Sequence, residues 1–341
     1  MLFKHIIDAL ENNLPCFSFK KSNTSRLQVL VQNNKTLYNT PPIDLDYAVM
    51  VSFDSSSKIY IVGDQFYNEM IDVENIASSS ADFVEESLET GEYLSLVENA
   101  INAIERKEMV KVVLSRKRNF KTTLSKLQIF KNLLKRCPEA NCYFFYHPDV
   151  GCWMGASPEI LLEYDKGTAL TVSLAGTAQS GVKQPIWSDK EYEEQQIVTD
   201  YIANQLSKFS SDEIKITSPT TIKAGSLLHL KSTLTGEVSK GLIADLLSHL
   251  HPTPAVCGIP VPSAKKFIKD KEGYNREFYT GYFGIVNQEA GTQDYYVNLR
   301  CLQSIENAVE VYVGGGIVAA SNPEKELLET IAKENTMRAI L

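Results

Sequence analysis

A chain of 341 residues, 43% hydrophobic and 22% charged, has the composition of an ordinary globular protein, large enough for one big domain or two modest ones, and not that of a disordered one. Its formal net charge of -8, with no basic tract, argues against nucleic-acid binding, which draws its sequence-independent affinity from lysine and arginine on phosphates. Six cysteines (Cys16, Cys137, Cys142, Cys152, Cys257 and Cys301) lack a Cys-x-x-Cys pair, and the start Met1-Leu-Phe-Lys-His-Ile-Ile-Asp8 lacks the apolar run of a signal peptide or membrane span, so a cytoplasmic protein without disulfides, zinc or membrane contact is expected.

In chain order, the amino-terminal part reads as short strands over 27–31, 47–53 and 58–62, joined by turn-rich segments such as Asn39-Thr-Pro-Pro42. Between Ile76 and Gly91 the composition turns polar, which predicts a surface connection or hinge separating 1–90 from 91–341 within one globular unit. Leu94, Val97, Ile101 and Ile104 then recur at helical spacing, ahead of Val110-Lys-Val-Val-Leu-Ser-Arg116, where alternate residues follow the period of a strand. Further strands are predicted over 143–146, 160–164, 169–174, 214–216, 282–286, 296–301 and 309–313. Ser188 and Glu191 have capping-box spacing and open a helix to about residue 209, while Ser321-Asn-Pro323 supplies the cap and first turn of a carboxyl-terminal helix. Strands outnumber helices without regular βαβ alternation, so the fold class is α+β with large mixed or antiparallel sheets.

Each position that invites chemistry has an ordinary alternative. A lysine in an apolar strand, as at Lys111, is usually a solvated, edge-protecting charge. Residues three apart share a helix face, so Glu191 with Glu194, and Glu326 with Glu329 and Lys333, present their charges together; they form solvated faces, or the four carboxylates form a hard-oxygen set suited to magnesium. For Glu191 a capping role competes directly. Gly314-Gly-Gly316-Ile-Val-Ala319 formally fits a dinucleotide fingerprint, but the helix cap at Ser321 or Asn322 comes after the motif, so no helix terminus would face a pyrophosphate. Bare backbone there makes a tight turn or admits an anionic ligand. His147, His229, His249 and His251 lack zinc-ligand spacing.

The ordered set Lys111, Gly155-Ala-Ser-Pro-Glu159, Leu174-Ala-Gly-Thr177, Glu191-Tyr-Glu-Glu194, His229-Leu230, His251-Pro-Thr-Pro-Ala255, Asn298-Leu-Arg300, Gly314-Gly-Gly316 and Glu326-Leu-Leu-Glu329 resembles the chorismate-utilising enzymes related to anthranilate synthase component I, and within them the isochorismate synthases. The resemblance runs from about Val97 to the carboxyl end and implies two large sheets packed as a sandwich with helices outside, with 91–341 as the chorismate-binding core. It implies that Glu194 and Glu329 ligate Mg²⁺, with Glu191 and Glu326 just behind, and that the ion bridges to the ring carboxylate. Arg300, whose planar fork suits a carboxylate, would take the pyruvyl carboxylate with Tyr279 and the backbone of Gly314 and Gly316, and Lys333 would assist near the metal. Lys111 would be the base that activates water for ring carbon 2, and Glu159 the acid that protonates the hydroxyl leaving carbon 4, roles that need a neutral amine and a protonated carboxyl. Gly176 and Thr177 would line the hydroxyl side, and His229 would orient the substrate.

Anthranilate and aminodeoxychorismate synthases typically place glutamine at the position of Lys111, because ammonia needs no activating base, and no glutamine amidotransferase partner is expected here. Salicylate synthases share the lysine, the glutamate and the metal helices but tend to carry threonine at the position of Ala255. The resemblance therefore implies an isomerase, isochorismate synthase, serving menaquinone or siderophore biosynthesis. A salicylate synthase and a catalytically silent chorismate-binding protein are the alternatives.

Overall fold

The computed structural model describes residues 2–80, 84–85, 90–179, 187–224 and 227–341. Two sheets, one of ten strands and one of nine, account for most of it, and every strand pair described is antiparallel. The period of two along a strand builds the sandwich. In Asn141–His147, Tyr143 and Phe145 face the second sheet and join Phe17, Phe19, Trp153, Phe283 and Tyr296 in an aromatic layer, while Cys142 and Phe144 face outward. That outer face is covered by the helices Phe3–Glu11 and Lys126–Arg136 through Ile6, Ile129, Phe130 and Leu133. The outer face of the second sheet is covered by Asp189–Leu206 and Ile243–Leu250 through Val198, Ile202, Leu246 and Leu250. A third group, Thr90–Glu105, Val261–Lys271 and Pro323–Arg338, packs on Val112, Leu114 and Ile317 at one end of the first sheet. No helix among the described residues is long and apolar enough to cross a membrane.

The amino-terminal segment feeds both sheets. Cys16–Lys20, Arg26–Val31 and Gln65–Met70 extend the first, and Tyr47–Val51 and Lys58–Val62 extend the second. The polar stretch 76–91 lies partly outside the described residues. Within it Ile76 is buried, and the Ser79 amide donates to Asn132 Oδ1 at 3.0 Å on the Lys126–Arg136 helix.

One predicted strand is corrected. The segment 296–301 is the junction of two strands, Thr292–Val297 in the second sheet and Cys301–Ile305 in the first, and Asn298, Leu299 and Arg300 carry the chain across between them. Arg300 has φ 47°, which ends the pleat. A matching crossing occurs at Pro158-Glu159, between Gly151–Ser157 of the first sheet and Ile160–Asp165 of the second. The two crossings are tied together: Ser157 Oγ donates to the Val297 carbonyl at 2.6 Å, Val297 N to the Glu159 carbonyl at 3.1 Å, and Ala156 N to the Arg300 carbonyl at 3.0 Å. Glu159 and Arg300 therefore share one corner of the sandwich.

Candidate active site

A cavity of about 460 Å³ opens at that corner. Its first wall is the pair Lys111–Lys121 and Ala308–Ile317, in which Val113, Leu114 and Ser115 stand opposite Gly316, Gly315 and Gly314. Lys111 starts its strand with a side chain 14% exposed, and Nζ donates to Glu194 Oε1 at 2.9 Å. The glycines make room for side chains: a Cβ at position 316 would lie 3.0 Å from Lys111 Cε, and one at position 314 would lie 2.9 Å from the Tyr279 hydroxyl. No tight turn forms there, since all three sit within the strand.

Glu159 lies on the neighbouring wall, 7% exposed, on a turn pinned by Ser157 and Val297 and so unlike an exposed turn glutamate. Burial raises its carboxyl pKa to about 7, against the opposing pull of Lys111. Lys111 and Glu159 line the same cavity.

Two helices bring carboxylates to it. Asp189–Leu206 carries Glu191 and Glu194, and Pro323–Arg338, capped by Asn322 on Lys325 N, carries Glu326 and Glu329; all four line the cavity. Glu329 pairs with Lys333 at 2.7 Å, and Lys333 Nζ also donates to the Gly314 carbonyl at 2.9 Å. Glu191 completes a capping box, accepting from Ser188 N at 2.7 Å and from the Ser188 hydroxyl, and also lines the cavity. Burial, opposed by Ser321, and then the Glu329 carboxylate raise the pKa of Glu326. Among the described residues no three His, Cys, Asp or Glu side chains are grouped closely enough to hold a metal ion as they stand. The donor chemistry nevertheless suits a hard divalent cation: all four groups are carboxylates, and at Glu326 negative charge is crowded and desolvated. Glu194 and Glu329 each pair with a lysine, Lys111 at 2.9 Å and Lys333 at 2.7 Å.

The remaining wall carries Arg300, Tyr279, His229, Gly176 and Ala255. Arg300 projects from the crossing with no carboxylate of the described residues within ion-pairing distance, and burial lowers its pKa. Tyr279 stacks on Tyr312 with ring centroids 5.5 Å apart. His229 Nδ1 lies 2.8 Å from the Gly176 carbonyl, which can only accept, so the ring proton sits on Nδ1. Burial, then the nearby Lys333 and Arg300, hold that imidazole below its usual pKa, outweighing the Gly176 bond. Gly176, at φ 65°, falls where the pairing of Thr168–Gln179 with Leu227–Glu237 shifts register between Ala175 and Ala178, a bulge that turns its carbonyl to His229. Ala255 joins the lining beside Val256. Thr177 lies in the same strand, and its side chain falls outside the described residues.

The structure thus brings Lys111, Glu159, Gly176, Glu191, Glu194, His229, Ala255, Tyr279, Arg300, Gly314, Gly316, Glu326, Glu329 and Lys333 to one cavity. Sequence reasoning missed Lys325, Thr280 and Tyr312 in its lining and the buried Ser115–Glu272–Arg276 network behind it. Lys325 stands beside a Glu-x-x-Glu pair and was within reach of the pattern. The network joins segments 157 residues apart, and of its contacts only the Glu272–Arg276 pair, four residues apart, is close in sequence.

The chorismate binding enzyme family matches residues 57–341. Isochorismate synthase DhbC of Bacillus subtilis is 35% identical over 195 residues, 54% of this chain and 49% of that one. Isochorismate synthase MenF of Escherichia coli is 28% identical over 260 residues, 73% and 60% of the two chains. The chain spans about half the length of the first curated relatives it matches. Among solved structures, the putative 2,3-dihydroxybenzoate-specific isochorismate synthase DhbC of Bacillus anthracis superposes with a TM-score of 0.82 at 22% identity over 99% of both chains, and anthranilate synthase component I of Streptococcus pneumoniae with 0.73 at 20% identity over 95% of this chain and 90% of that one. Fold, cavity and family match agree, and the chain belongs to the chorismate-binding enzyme family.

Proposed function

We propose that this chain is an isochorismate synthase, acting in the cytoplasm and converting chorismate to isochorismate by adding water at ring carbon 2 with loss of the carbon 4 hydroxyl. The observation that carries this reading is one cavity holding an amine, a carboxyl whose pKa lies at about 7 and a guanidinium with no carboxylate partner among the described residues. Lys111 takes a proton from the incoming water, whose oxygen forms the new bond at carbon 2 as the ring double bonds shift. Glu159 gives its proton to the hydroxyl oxygen on carbon 4, which leaves as water, so atoms and charge balance over the turnover. Arg300 and Tyr279 hold the pyruvyl carboxylate beside the Gly314 and Gly316 backbone, His229 orients the ring, and Gly176 and Thr177 border the departing hydroxyl.

Glu194 and Glu329 would hold Mg²⁺ with Glu191 and Glu326 behind them, and the ion, when bound, supplies positive charge for the ring carboxylate. The lining charges support that need: Lys111, Arg300, Lys325 and Lys333 face Glu159, Glu191, Glu194, Glu326 and Glu329, leaving no net positive charge for a dicarboxylate. Water as the nucleophile needs no glutamine amidotransferase partner, which agrees with lysine at position 111. Purified protein with chorismate and Mg²⁺ should yield isochorismate. Salicylate with pyruvate as the direct main product would replace this activity with that of a salicylate synthase, and tight chorismate binding without turnover would leave a binding protein.

A further inference from the structure

Behind the cavity, Arg276 is 2% exposed and joins three of its walls. Its Nη2 donates to the Val113 carbonyl at 2.6 Å on the Lys111 strand, and its Nη1 donates at 3.2 Å both to the Val256 carbonyl beside Ala255 and to Thr280 Oγ1. Its charge is met by the buried Glu272, with bonds of 2.6 and 2.7 Å, and Glu272 in turn accepts from Ser115 N and Oγ. The pair is neutral as a unit, so its contribution to the cavity is geometry rather than field.

The Thr280 contact has a specific consequence. Thr280 has φ 58°, a left-handed conformation that β-branched residues rarely adopt, so it persists only where neighbours over-determine it. Three bonds do so: Oγ1 accepts from Arg276 and donates to the Tyr279 carbonyl at 2.6 Å, and the backbone N donates to the Asn298 carbonyl at 2.9 Å. This turn sets the direction of Tyr279, whose hydroxyl lies beside Gly314 and makes no hydrogen bond among the described residues.

We propose that Arg276 is a positioning residue for the substrate carboxylate, holding the Thr280 turn so that the Tyr279 hydroxyl meets the same carboxylate as Arg300. This inference rests on the isochorismate synthase reading. Its test is a double-mutant cycle on kcat/KM for chorismate with Mg²⁺, using Arg276→Lys, Tyr279→Phe and the double variant. Arg276→Lys should lower kcat/KM about tenfold, chiefly by raising KM, and should cost less than about threefold once Tyr279→Phe is present, because the two act as one unit. If circular dichroism shows Arg276→Lys to be misfolded, Thr280→Val, which exchanges the hydroxyl for a methyl at the same branch point, carries the same cycle with the same expected non-additivity. Additive losses in the cycle that folds would overturn the proposal. No turnover by the wild type would sink the functional reading and this inference with it, whereas wild-type turnover with additive losses sinks this inference alone.

Discussion

Burial decides the chemistry at Glu159. A carboxyl pKa raised from 4.5 to about 7 means that the native state keeps a proton the unfolded chain has already released. The hydration rate should therefore fall as pH rises through about 7 and the acid is lost. The same shift makes the ionised side chain a penalty on folding, absent below the unfolded pKa, growing between the two values and reaching about 3 kcal/mol by pH 8. Glu159→Gln should abolish hydration at every pH yet raise the melting temperature at pH 8 and leave it near wild type at pH 4. An equal change at both pH values would contradict the burial argument. Lys111, Glu159 and Arg300 were legible through the ordered motifs of the family resemblance; by local pattern alone they read as an edge-protecting charge, an exposed turn glutamate and a surface arginine. Arg276 was not, since its partners Val113, Val256 and Thr280 are assembled only by the fold.

At the scale of elements, each carboxylate helix is fixed at its start by a cap readable from sequence, Ser188 with Glu191 on one and Asn322 with Pro323 on the other. Because Asn322 and Pro323 start the second helix without help from Glu329, Glu329→Ala should leave its helicity intact while weakening Mg²⁺ binding, measured by titration calorimetry, by at least about tenfold. An unchanged affinity would remove Glu329 from the ligand set. Lys58–Val62, which alternates through its first four residues, and Tyr282–Asn287, a continuous buried run, were legible almost to the residue. Leu227–Glu237 escaped because two of its buried positions are Ser232 and Gly236: the serine lies under Gln195 Nε2, and the glycine fits against Ile214 and Ser210. The crossing at 298–300 was hidden because apolar residues continue on both sides, and only the tertiary tie of Asn298 to Tyr143 and Phe278 shows the chain changing sheets.

For the whole molecule, the two sheets share one aromatic layer, and five strands before residue 71 complete it. Phe17, Phe19, Leu30, Met50, Ile59 and Ile61 belong to that layer. Burial of each such side chain contributes roughly 1.5–3 kcal/mol, against a total stability on the order of 5–15 kcal/mol. Deletion of residues 2–75 should therefore unfold the catalytic portion, and a soluble fragment with native circular dichroism would contradict that dependence. The sandwich with helices outside was legible through the family resemblance, whereas composition and periodicity reached only α+β with large sheets.

The central claim, that water activated by Lys111 enters at ring carbon 2, is tested most directly by running the reaction in H₂¹⁸O with Mg²⁺ and locating the label in the product by mass spectrometry and NMR. Wild type should give isochorismate with the solvent oxygen at carbon 2, and Lys111→Ala should give no labelled product while still binding chorismate. Unlabelled isochorismate from the wild type, or labelled product from Lys111→Ala at the wild-type rate, would contradict it.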